Sequence, residues 1–255
     1  MKQERVVRTL RWCLGLGLGL GSLAPAPAWS QDRWRLDLEG AAAWQTRNHF
    51  RIPGTTGTLV SLEDYTSGPY AAFRATLVWD VSESSSLRLL AAPLRFDVDF
   101  TPGAPIEFQD ETFAAGQPTR ARYEFDSYRL SWFYRFRSSG PWSFRAGVTA
   151  KVRDARIGLA SGSLAAEKTN TGVVPLLYGG VRYSPSERFS IDLDVDALGA
   201  PQGYAVDLAL RAEQRLGEKA TVFVGYRFLD GGADNDEVYT FATFHYATAG
   251  LALRF

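Results

Sequence analysis

The residues whose spacing best suits chemistry are two carboxylate ladders. Asp192, Asp194 and Asp196 alternate with Leu193 and Val195, so an extended backbone puts all three on one face. Three like charges in a row repel one another, and they call for arginines, a cation or a basic solute opposite. Arg182 and Arg211 stand on the flanking segments, and Asp207 and Arg227 recur with the same alternation. Asp97 and Asp99 form a second ladder beside Arg95. Such carboxylates can interlock with arginines, line a selective constriction, hold Ca²⁺ together with turn carbonyls, or serve a hydrolase. Only two histidines are present, His49 and His245, and neither has an aspartate two residues before it: Arg47 and Thr243 stand there. The turn holding Asp230, Asp234, Asp236 and Glu237 completes no metal-loop pattern. No nucleotide loop, zinc motif or flavin fingerprint occurs either, so neither a metal nor a cofactor is expected.

The elements that must carry these residues read as strands, because apolar residues recur with period two throughout. Ten segments show it: 33–46, 70–80, 86–100, 120–137, 142–153, 173–183, 188–197, 204–215, 220–228 and 238–255. Their charged phase supplies the ladders above, together with Arg35, Asp37, Glu39, Arg74, Arg129, Arg135, Arg145, Lys151 and Arg153. The third segment puts Leu90, Leu94, Phe96, Val98 and Phe100 opposite Arg95, Asp97 and Asp99, with a bulge expected at Pro93, which lacks a ladder donor. In the fourth, the phase slips near Asp126-Ser127, which predicts another bulge. Residues 154–172 read as a loop. Connections after the first, third and fifth strands are long and those after even strands short, as in bacterial barrels with short periplasmic turns.

Residues 1–30 read as a secretory signal peptide: Lys2, Arg5, Arg8 and Arg11, then an apolar run from Leu14 to Leu23, then Ala28-Trp29-Ser30. Residues 31–255 are then a single barrel domain. Four of the 28 Lys/Arg and one of the 28 Asp/Glu lie in the leader, leaving the remainder at −3, with no reason to expect nucleic acid as a partner. The single cysteine, Cys13, is in the leader, which excludes disulfides and thiolate sites from the barrel.

Alternation alone does not separate a membrane barrel from a soluble one. Apolar phases of ~9–11 residues match the hydrocarbon thickness. Aromatics gather at the ends of these phases (Trp34, Trp44, Trp79, Tyr134, Trp142, Tyr183, Tyr204, Tyr226), as in interfacial girdles. Phe255 closes the final strand and resembles the C-terminal assembly signal of outer-membrane barrels, which implies the barrel-assembly machinery as a partner. The chain as a whole resembles small Gram-negative outer-membrane β-barrels. The resemblance implies an all-β fold: one antiparallel transmembrane barrel of about ten strands (eight or twelve as alternatives) in the outer membrane, in contact with lipid and lipopolysaccharide. The lumen cluster expected is Arg95, Asp97, Asp99, Arg182, Asp192, Asp194, Asp196, Asp207, Arg211 and Arg227, paired across the interior.

The expected role is structural or that of a narrow passive pore. The alternative is a barrel hydrolase acting on envelope lipid or peptide. The strand count and Asp97-Val-Asp99 are similar to the omptin proteases, but the Asp-x-His pair those enzymes need is missing. His245-Tyr246-Ala247 is similar to the His-x-Ser of outer-membrane lipid A deacylases, with Ala247 where the nucleophile would stand. Arg120 and Arg122 are candidate contacts for lipopolysaccharide phosphates.

Overall fold

The computed structural model describes residues 32–136 and 139–255. The leader reading of 1–30 therefore lies outside the described residues. Ten antiparallel staves close into one barrel. They are β1 (Trp34–Arg51), β2 (Tyr70–Asp80), β3 in two parts (Ser85–Ala92 and Arg95–Phe100), β4 (Thr119–Phe136), β5 (Trp142–Ser161), β6 (Leu164–Tyr183), β7 (Phe189–Ala200), β8 (Gly203–Arg215), β9 (Ala220–Asp234) and β10 (Tyr239–Arg254). β1 pairs with β10 from Arg35↔Arg254 to Arg51↔Tyr239, with one register shift between Gln45 and Arg47. Phe255 completes this seam by exchanging two backbone hydrogen bonds of 3.0 Å with Trp34. Closure satisfies the ladder where no water can, which is the condition for a sheet to cross lipid.

The outward face is an apolar belt. It runs through Leu87 and Leu89 of β3, Tyr128, Leu130 and Trp132 of β4, Val148 and Val152 of β5, and Val173 and Leu177 of β6. Stacked Trp34 and Trp79, 5.5 Å apart, and Trp142 with Tyr183 at 4.6 Å mark its end near the short turns. Rings at that level suit the lipid–water interface.

The belt ends on one row. Tyr128 is opposite Val152, and Val152 is opposite Val173; on the next outward-facing row Asp126 meets Asp154, and Asp154 meets Thr171. Above it the outside is charged and the inside apolar. Ala121, Tyr123, Ile157 and Leu159 join Leu94, Val98 and Phe100 in a buried core. Below it the inside carries Ser127, Arg129, Ser131, Thr149 and Lys151, all buried. Above the membrane the wall stands in water, so burial of apolar surface favours the arrangement of a soluble barrel.

This inversion corrects several expectations. The phase at Asp126-Ser127 does not slip: β4 keeps one register against β5 from Arg120↔Ala160 to Phe136↔Phe144, and only the chemistry of its two faces changes. Nor is Pro93 a bulge. Ala92↔Ser127 and Arg95↔Glu124 lie in the same register, the ladder is merely interrupted, and Phe125 N–H still donates to Leu94 O at 2.7 Å. Leu90, Leu94, Val98 and Phe100 are buried inside rather than facing lipid. Residues 154–172 are not a loop. β5 and β6 run on as a tall hairpin joined by Gly162-Ser163, where Gly162 has φ +59°, a conformation a side chain would disfavour.

Two long connections fold inward as a cap. The segment after β1 contributes Ile52, Val60 and Leu62, and the one after β3 forms a small hairpin, Ile106–Phe108 with Glu111–Phe113. Phe50, Phe108 and Phe113 stack edge to face at 5.6 and 6.5 Å. Thr58 N–H donates to Glu107 O at 2.8 Å, and Gln109 N–H donates to Ile52 O at 2.9 Å, which stitches the two connections together.

Candidate functional site

Inside the belt the charged side chains form two linked layers. In the layer nearer the short turns, Asp192 accepts from Arg145 at 2.5 Å and from Arg182 at 2.6 Å. Glu213 accepts from Arg35 at 2.8 Å and Arg182 at 2.9 Å, and Asp37 from Arg35 at 2.7 Å and Arg211 at 3.0 Å. Asp194 lies 3.4 Å from both Arg145 and Arg211 and accepts the Tyr178 hydroxyl. Asp192 and Asp194 are therefore separated by guanidinium groups from β5, β6 and β8, and the ladder carries no bare run of negative charge. A cavity of about 210 Å³ sits among Arg35, Asp37, Arg145, Asp194 and Arg211.

The second layer lies higher. Asp196 accepts from Arg88 at 2.7 Å, Arg129 at 3.0 Å and Thr149 Oγ1 at 2.6 Å. Arg129 also donates to Asp207, and Arg74 stands 3.6 Å from the same carboxylate. Arg227 is 3.4 Å from Glu39 and lies over the Tyr246 ring at 3.9 Å. Arg88, Arg129, Asp196 and Asp207 are each 7 % exposed or less. Buried charge is tolerable only when it is paired; here every carboxylate of the two layers has a guanidinium partner, while Arg74 Nη1, Arg145 Nε, Arg211 Nε and Arg227 Nε are left without an acceptor.

Of the candidates read from the sequence, Arg182, Asp192, Asp194, Asp196, Asp207, Arg211 and Arg227 line this interior. Arg95, Asp97 and Asp99 do not. They face outward above the belt, where Arg95 binds Asp126, Asp97 accepts from Arg122 at 3.0 Å, and Asp99 accepts from Arg120 at 2.6 Å. They belong to the wall's hydrated part, whose apolar phase is turned in. The Arg120 guanidinium holds the Asp99 carboxyl below its ordinary range. Pairing also spends the charge of Arg120 and Arg122 on the protein's own carboxylates. The interior also holds Arg88 and Glu213, which lie outside the cluster expected from the sequence. Glu213 was legible, two residues beyond Arg211; Arg88 was hidden because it shares a phase with Leu90 and Leu94.

The histidines stand apart from Asp97 and Asp99. His245 faces outward at the upper girdle, with Tyr226 Oη 2.6 Å from Nδ1 and Thr46 Oγ1 3.0 Å from Nε2. His49 stacks on Tyr239 at 5.8 Å and has Glu63 3.7 Å from Nδ1. Ala247 and Thr248 occupy opposite faces of β10, Thr248 being buried. Just above the belt on β9, Asp230 accepts from Arg47 at 2.7 Å, Tyr204 at 2.8 Å and Thr243. Burial opposes its ionisation, but these three donors overcome that and hold its carboxyl below the usual range.

No family model and no curated protein matches the sequence. Solved structures do. The outer membrane protease OmpT from Escherichia coli is similar at 11% identity with a TM-score of 0.55, over 88% of this chain and 97% of that one. The translocator domain of the autotransporter NalP from Neisseria meningitidis matches at 9% identity, TM-score 0.43, over 87% and 88%. Neisserial surface protein A matches at 10% identity, TM-score 0.38, over 87% and 97%. The likeness to OmpT is one of fold. With the apolar belt, the girdle and the charged interior, it makes this chain a ten-stranded outer-membrane β-barrel.

Proposed function

We propose that this barrel is a structural, non-conducting element of the outer membrane that holds a rigid wall and cap above the lipid. One observation carries the reading. Arg129, Asp196 and Asp207 form a buried layer between the lower cavity and the space beneath the cap, tied to one another and to Arg88 and Thr149. An ion crossing the lumen would have to break several charge-assisted hydrogen bonds at once, in a region where each is stronger than in water. A ten-stranded wall is also near the size that side chains fill; aqueous channels need roughly 16 strands. The narrow-pore reading is the weaker of the two on both counts. Arg–Asp pairing across the lumen then serves to set the barrel's cross-section. In this reading the partners are membrane lipid along the belt, lipopolysaccharide at the outer rim and the barrel-assembly machinery during insertion.

Planar-bilayer recording of the purified protein in concentrated KCl tests it, with silence expected. Steady unitary conductance whose ion selectivity changes in Asp194→Asn would overturn the proposal and restore the pore.

A further inference from the structure

The barrel wall has a gap near the top of the belt. β6 pairs with β7 only from Leu177↔Ala197 to Tyr183↔Ile191. Residues 164–176 of β6 pair with β5 alone, because β7 turns back at Ala200 into β8 while the β5–β6 hairpin continues upward. The free edge starts at Leu176 and Pro175, next to the last apolar row, Val173. The lower end of this edge, at Leu176 and Pro175, lies below Val173 and so within the belt, on the row of Ala150 and Leu130, where an open ladder is costly. Pro175 suits this edge, since it has no backbone donor to leave unmet.

Behind the gap lies a cavity of about 440 Å³, within the range of small-molecule sites. Its walls are largely apolar and include Ile157, Val174, Leu198, Leu229 and Phe244. Lys168 Nζ meets Glu237 at 3.2 Å and closes the top, tying the tall hairpin to the connection between β9 and β10.

Two cations stand at its base without carboxylate partners. Lys151 is 2 % exposed, and among the described residues its amine makes no ion pair or hydrogen bond; it lies 4.8 Å from the Phe125 ring centre. Arg153 donates to Asn170 Oδ1, and its Nε is buried with no partner. Most cations deeper in the lumen meet a carboxylate, so this pair is the local exception. Lys151 is buried and Arg153 partly so, and neither has a carboxylate opposite, so the pair below apolar walls is complementary to an anion that carries a hydrocarbon chain.

We propose that the cavity binds an anionic amphiphile with a single chain, a long-chain carboxylate, entering sideways between β6 and β7. The carboxylate sits on Lys151 and Arg153, and the chain lies against Val174, Leu198 and Phe244. The site differs from the ion-paired lumen below it and does not depend on whether that lumen conducts.

The test is equilibrium binding to the purified full chain in uncharged detergent, with three probes: hexadecanoate, hexadecanol and inorganic phosphate. Hexadecanoate alone is expected to bind. Lys151→Met with Arg153→Met is expected to weaken it about tenfold or more, the loss of its charge-assisted bonds. Val174→Trp, which narrows the cavity and leaves both cations in place, is expected to weaken it as well. Heat-modifiable gel mobility checks that each variant is folded. Equal binding of hexadecanol, equal affinity in the folded double variant, or phosphate binding as tightly as hexadecanoate would each overturn the proposal.

Discussion

Asp196 holds together two arginines, Arg88 and Arg129, that are each 4 % exposed. Asp196→Ala leaves Arg88 without its counter-charge and Arg129 with Asp207 alone, and breaking a buried pair in this way costs about 3–5 kcal/mol. Urea unfolding in lipid vesicles is expected to show a loss of that size. Asp230 makes a prediction about pH. Its carboxyl is held below its ordinary value by Thr243, Tyr204 and Arg47. The stabilisation is therefore full above about pH 4, the unfolded value, and lost as pH falls through the folded one. Asp230→Asn is expected to lower the unfolding midpoint at neutral pH and to flatten its acid limb, so that the two curves converge as pH falls. At this scale the sequence was informative wherever a charge alternates with apolar residues within one zone, as with Asp192, Asp207 and Arg211. It misled at Arg95, Asp97 and Asp99 because the same alternation has the opposite sense once the strand leaves lipid.

The inversion is a property of whole strands. β4 shows it most fully: Arg120, Arg122 and Glu124 face outward above the row, and Tyr128, Leu130 and Trp132 face outward below it. A charge on the lipid face costs ~2–4 kcal/mol at mid-membrane and little near the interface. Leu130→Arg is expected to lose that much in vesicle unfolding, and Glu124→Arg, on the same face but above the row, to lose far less. Strand existence was legible for all ten staves, because each crosses the belt with at least one clean apolar phase. Strand length was not. In 154–172 the inward residues Ala155, Ile157 and Leu159 alternate with outward Asp154, Arg156 and Gly158, the reverse of the sense within the belt, so the segment reads as a polar, glycine-bearing loop. β9 likewise runs on to Asp234 through Gly231 and Gly232.

Across the whole molecule, two interiors are stacked in one tube, an ionic one within the lipid and an apolar one above it. The apolar part depends on connections that carry no strong strand pattern, which is why the cap was invisible in the sequence. Phe108 and Phe113 are 1 % and 0 % exposed. Truncating a buried Phe costs ~3–5 kcal/mol. Phe108→Ala with Phe113→Ala is expected to release the cap to proteolysis while heat-modifiable mobility persists, since the ladder and ion pairs below are untouched. Joint loss of both would mean that cap and belt fold as one unit.

Because both faces of the wall change character at the same row, the barrel has one vertical position. A shift of one residue pair outward would lift Tyr128, Val152 and Val173 into water, and a shift inward would press Asp126 and Asp154 into acyl chains. A membrane of unsuitable thickness therefore cannot be met by sliding, and the lipid around the protein must stretch or compress instead.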